Sequence, residues 1–351
     1  MELKYIIATI FVIILVLGCS AKETQPNLEA AEEAQTTQPA TETRVEITPS
    51  QPAATVAGSL VLIADTENQR VIEINKDTKA VTWQYGCTDI YVSGRCTYGA
   101  SSNQLYLPTS AVYDDGNVLI ADKGNDRVIE LSKGKEIVWT YSKDLDTPTF
   151  AYPMSNGNVL ITDSVNNRVI EVTTSGEVVW TYGCFRMSNT DKCVAGKEVN
   201  ELNVPNSAVE LENGNILIAD KGNNRVIEVT KNWETVFEYK NGLVSPMFAS
   251  KSGSGYLIVN TNNNKVVTVD AQGAETNTLS GFNRPAYAEE ENSKFLVADT
   301  TNNRIVETDA AGNIVWYYGD CTENDAGVPN APCKLGAEAG QLFKPSSAVL
   351  G

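Results

Sequence analysis

A carboxylate, a carboxamide and a guanidinium return along this chain at one fixed spacing, Asp-x-x-Asn-x-Arg. The copies are Asp65–Arg70, Asp122–Arg127, Asp163–Arg168, Asp220–Arg225 and Asp299–Arg304, with a worn sixth at Asn260–Lys265. The set has two chemical readings. Gathered on one face, the groups could hold anions or cations. Taken locally, Asp caps a turn, Asn takes its left-handed position and Arg pairs with a neighbouring carboxylate. In the worn copy the acid and the base are lost together, and the tryptophan position that follows becomes Asn277. Concerted loss marks mutually dependent partners, so these residues are read as framework.

Cysteine supplies the second set. Seven are present: Cys19 near the start and the pairs Cys87/Cys96, Cys184/Cys193 and Cys321/Cys333. Six cysteines allow about 15 connectivities. Local pairing is favoured because each pair lies within its own insertion: the repeat spacings run 57, 41, 57, 40 and 39 residues, and the third pair follows the last copy. A zinc site would need these thiolates to converge with further ligands. The insertions share a tail, Cys-x-x-Gly-x-x-x-[Asn/Gly]-[Gln/Glu]-Leu-x-x-Pro, at Cys96–Pro108, Cys193–Pro205 and Cys333–Pro345. Their middles differ. Tyr91, Arg95, Phe185, Arg186, Met187 and Asp325 are therefore the candidate binding rim, several being residue types that anchor interfaces.

A third set follows a recurring proline. Two residues past Pro345, Pro108, Pro148, Pro205, Pro246 and Pro285 stand Ser347, Ser110, Phe150, Ser207, Phe248 and Tyr287. Hydroxyls and aromatic rings at one structural position could line an amphipathic channel mouth, or could pack between neighbouring elements. Strand alternation allows either these residues or their neighbours to face inward.

Composition narrows the chemistry. The chain has 351 residues, 44 acidic against 27 basic, a net charge of −17 and no histidine. Serine-hydrolase chemistry of the usual kind loses its base, and a nucleic-acid backbone finds no basic patch. No catalytic constellation is found and no cofactor is predicted. Carboxylates, carboxamides and carbonyls would suffice for an axial Ca²⁺, and aromatic rings for a quinone, but no spacing demands either.

The elements that carry these residues are strands. Each copy reads as Pro-x-x-Ala, a turn such as Asp115-Gly116, Val-Leu-Ile-Ala-Asp, Arg-Val-Ile-Glu-Val, and Ile-Val-Trp-Thr-Tyr or a near variant. Four short antiparallel strands per repeat make a propeller blade, and six copies make an all-β, six-bladed propeller. The N-terminal copy lacks a first strand, and Lys344–Gly351 is a first strand with nothing after it. Blade one is thus expected to close from both ends of the chain, with residues 58–351 as one domain.

Pro-x-x-Ala-Val, Gly-Asn-Val-Leu-Ile-Ala-Asp, Asn-x-Arg-Val and Gly340-Gln341-Leu342-Phe343-Lys344-Pro345 resemble the NHL family of six-bladed propellers. Gly176–Trp180 and Gly312–Trp316 are similar to the docking motif of quinoprotein-like (PQQ-like) propellers. Arylsulfotransferase-like and streptogramin-inactivating propellers share this blade style, but they depend on histidine, so their activities do not carry over. Upstream, Lys4, the apolar run Tyr5–Leu17 and Val16-Leu17-Gly18-Cys19 resemble a lipoprotein signal with its lipobox. That resemblance implies cleavage after residue 18 and a lipid on Cys19. Residues 19–57, acidic and rich in Pro, Thr, Glu and Ala, read as a disordered stalk. The whole describes a monomeric, lipid-anchored, extracytoplasmic module, periplasmic or at the cell surface, that binds a protein or cell-surface glycan through its cysteine loops. The alternative is a histidine-free enzyme or cofactor carrier, a metal-dependent hydrolase or quinone-binding oxidoreductase, using an axial pocket.

Overall fold

The computed structural model describes residues 59–351 apart from 92–95, 185, 189–192, 325–326 and 328, together with the backbone of Arg44–Glu46. The signal segment 1–18, Cys19, Arg95, Phe185 and Asp325 lie outside the described residues. Within the expected stalk, Arg44–Glu46 pairs antiparallel with Asp89–Tyr91, three residues of the first cysteine insertion.

Six four-stranded antiparallel sheets form a ring. Blade two shows the pattern from axis to rim: Pro108–Asp114, Asn117–Asp122, Arg127–Leu131 and Ile137–Tyr141. Blades three, four, five and six repeat it, with inner strands at Pro148–Pro153, Ser207–Glu210, Pro246–Ser252 and Tyr287–Glu291. Each inner strand packs against the inner strands of both neighbouring blades.

Burial follows position. The second strands are covered on both faces by adjoining blades, so their Val-Leu-Ile-Ala runs are continuously apolar rather than alternating. The outermost strands are largely exposed, with only their closing Tyr141 and Tyr239 buried. Blade one takes its inner strand, Pro345–Leu350, from the C-terminus and pairs it with Leu60–Asp65, placing Ile63 opposite Ala348. This pairing covers the inner edge of Leu60–Asp65 and completes the fourth strand of the blade.

Side chains stitch blade to blade. The residue before each motif arginine or lysine, namely Gln69, Asp126, Asn167, Asn224, Asn264 or Asn303, has positive φ. Its side-chain oxygen accepts the backbone N–H of Leu107, Thr147, Val204, Ser245, Arg284 or Lys344 in the next blade, at 2.6–3.1 Å. Outer tryptophans add a second stitch. Trp83, Trp139, Trp180 and Trp316 donate their indole N–H to a carbonyl of the following blade, and Asn277 does so from blade five.

Candidate functional site

The five motif aspartates are wholly buried. In each, Oδ2 accepts from the Nε of the arginine five residues on, at 2.6–2.8 Å, and from the Nδ2 of the asparagine three residues on, at 2.7–2.8 Å. Oδ1 accepts a backbone N–H from the segment entering the same blade: Phe343, Tyr106, Asp146, Asn203 or Asn283. Burial pushes these carboxyls upward, and the arginine and amide donors pull against it. Two details of the local reading are corrected. The left-handed residue follows the asparagine, which is occupied as a donor to Asp. The aspartate caps no turn N–H; it fastens the incoming loop instead.

Blade five shows why acid and base were lost together. The Oδ1 of Asn260 accepts the N–H of Val244, and its own Nδ2 donates to the Gly242 carbonyl. One neutral amide thus supplies both donor and acceptor. With no buried carboxylate to neutralise, Lys265 stands exposed.

The arginines also fix the cysteine insertions. Arg127 donates to the carbonyls of Ala100 and Gln104, and Arg225 to those of Lys197 and Glu201. Arg70 reaches Ala337 and Gln341, while Arg304 reaches Pro329. Three insertions therefore lie on the face that carries the turns between second and third strands. Each is closed by its local disulfide, Cys87–Cys96, Cys184–Cys193 or Cys321–Cys333. Bonds of this kind persist in an oxidising, extracytoplasmic compartment.

The shared tail is the anchored part of each loop. Leu105, Leu202 and Leu342 are fully buried. Asn103 and Asn200 accept the N–H of Gly86 and Gly183 and donate their own N–H to Tyr85 and Tyr182. At Gly86 and Gly183 φ is positive, and a Cβ would sit 2.3 Å from a carbonyl of the preceding turn, so only glycine can open these insertions.

Among the rim residues, Arg186 is exposed and pairs with Glu201 at 2.6 Å, which holds that carboxyl below its usual range. Met187 is more than half exposed beside Cys184. Tyr91 belongs to the short strand already described. Tyr98, Val199 and Leu335, which the sequence reading did not single out, are each more than half exposed on the same insertions. Tyr98 stacks on Tyr106 at 4.7 Å.

At the axis, the six residues of the expected channel mouth are buried. The hydroxyls of Ser110 and Ser347 accept the N–H of Ala151 and Ala111 in the next blade, a packing role rather than a lining one. Phe248 touches Phe150 and Tyr287, with ring centroids 5.4 and 4.2 Å away, and all three line a pocket of about 250 Å³. Its walls come from the residues one place earlier: Thr109, Thr149, Asn206, Met247, Ala286 and Ser346. Lys123 and Lys221 also line it, and no carboxylate does. The two lysines had a sequence signal. Only blades two and four read Asp-Lys-Gly-Asn where the others have Thr or Ser after the acid position. Among the described residues, no three His, Cys, Asp or Glu side chains converge as a metal site requires.

No family model and no curated protein matches the chain. Its likeness is to six-bladed propellers of known structure. A protein of unknown function from Bacteroides caccae aligns at 15% identity and TM-score 0.56, over 74% of this chain and 93% of its own. A streptogramin B lyase aligns at 14% and 0.52, over 88% and 98%. The propeller of a nidogen/laminin complex aligns at 14% and 0.55, over 74% and 93%. At these identities the likeness establishes the fold alone.

Proposed function

We propose that this protein is an exported binding scaffold. In this reading a lipid on Cys19 tethers it to a membrane, residues 19–57 hold it off the surface, and the face bearing the three cysteine loops receives a protein partner. The observation that carries the reading is the bracing of that face. Three disulfide loops are pinned to the blades through arginine–carbonyl bonds, so little ordering entropy is lost when they are engaged. Exposed Tyr98, Met187, Val199 and Leu335 supply apolar contact area and favour a protein over a glycan. The NHL-like repeat fits such a module, since propellers of that kind present loops around one mouth.

An enzymatic or cofactor-carrying reading would draw on carboxylates or stacked aromatic rings gathered at the axis; no carboxylate lines the axial pocket, and its rings, Phe150, Phe248 and Tyr287, meet tilted rather than stacked. The fold likeness to streptogramin lyases does not extend to chemistry here. One such structure, a virginiamycin B lyase, is described as catalytically inactive once a histidine is replaced by alanine, and this chain has no histidine.

The test is crosslinked capture from membrane extract by the full chain and by a Tyr98→Ser/Met187→Ser/Leu335→Ser variant with an unchanged melting temperature. Capture of a discrete protein should fall at least tenfold. Undiminished capture, or capture of glycan alone, would remove the reading.

A further inference from the structure

The axial pocket has an electrostatic character opposite to that of the molecule. The chain carries a net charge of −17, yet the charged side chains lining the pocket are Lys123 and Lys221. Both are partly buried, and among the described residues neither makes an ion pair. Burial lowers the pKa of Lys221, and repulsion from Lys123 and Arg284 lowers it further. Two ammonium groups that line one pocket with no carboxylate among its lining residues are an unfavourable arrangement that an anion would relieve.

Two further features border the same space. Thr149 lines the pocket, and its hydroxyl is buried with no hydrogen-bond partner. An unpaired buried hydroxyl is costly unless something else satisfies it. Opposite the polar wall, Met247, Phe248 and Tyr287 offer an apolar surface. At about 250 Å³ the space falls just under the roughly 300 Å³ where ligand pockets usually begin, so an occupant must be small.

We propose that the axial pocket binds a small organic anion, its carboxylate or phosphate between Lys123 and Lys221 with Thr149 donating, and its apolar body against Met247 and Phe248. This goes beyond the scaffold reading and needs none of the cysteine loops, so either can fail without the other.

The experiment is titration calorimetry on the full chain with benzoate, phenyl phosphate and inorganic phosphate, for the native protein and for Lys123→Gln/Lys221→Gln and Thr149→Val. At least one of the two aromatic anions should bind more tightly than inorganic phosphate, and the ratio between them assigns carboxylate or phosphate. The lysine variant should lose at least tenfold in affinity, and Thr149→Val a smaller amount. Because the lysine substitutions remove a repulsion, that variant should melt no lower than the native protein. No binding of either aromatic anion, affinity unchanged in the lysine variant, or a lowered melting temperature showing that the lysines serve the fold, would each overturn the proposal.

Discussion

In five of the six blades a buried aspartate carries a desolvation cost that its neighbours offset. Asp220 accepts from Arg225, Asn223 and the N–H of Asn203 while fully shielded from water. Removing one partner of such a pair strands a charge and typically costs about 3–5 kcal/mol. Blade five shows the remedy in place, with Asn260 neutral and Lys265 released to solvent. Asp220→Asn and Arg225→Lys should therefore each destabilise the protein in denaturant titration. The double substitution should cost less than their sum by at least about 1 kcal/mol, and strictly additive losses would contradict the interdependence. The partnership of Asp with Arg was legible from their shared loss at one copy. The left-handed residue was not, because adjacent Asn166 and Asn167 can both adopt positive φ and only the folded backbone shows that Asn167 does.

At the scale of elements, the inner strands carry the closure. Glu289, on the inner strand of blade six, accepts the N–H of Leu350 from blade one at 2.6 Å and lies beside Tyr287. Burial pushes its carboxyl up to about 7, and Glu291 adds to the shift. Such a group prefers its neutral form in the folded protein, whereas the unfolded chain ionises it from near 4.5. Stability should therefore fall as pH rises from about 4.5 to 7 and level off above. Glu289→Gln should raise the midpoint of unfolding at pH 8 by the equivalent of about 1–3 kcal/mol and leave it unchanged at pH 4.5. A gain of equal size at both values would place the effect elsewhere than titration. The existence of these strands was readable from their proline and alanine spacing. Which of their residues faces the axis was not, because strand alternation alone leaves two choices, and the structure places Thr109 and its equivalents on the pocket wall while Ser110 bonds the next blade.

For the whole molecule, the ring depends on two segments at opposite ends of the described chain. Pro345–Leu350 pairs with Leu60–Asp65 and packs against the inner strands of blades two and six. A chain ending at Lys344 would expose Leu62, Ile63 and Ala64 as an open edge at the centre of the propeller. Unpaired inner edges invite association. The truncated protein should show no cooperative melt as a monomer and should elute as higher assemblies in size-exclusion chromatography. A monomer melting within a few degrees of the full chain would mean that the remaining five complete blades hold the ring unaided.

The repeat by itself determined the number of blades, their strand order, the shared closure of blade one and the position of the three cysteine insertions, because those properties depend on the period of the chain and on which residues tolerate burial. The tertiary structure decided what stands at the centre. Lys123 and Lys221 are separated by 98 positions' worth of chain and by a whole blade, and Thr149 belongs to the blade between them. Only ring closure brings those three blades to one axis. A local pattern encodes each strand's faces, but convergence at a common axis belongs to the assembled ring.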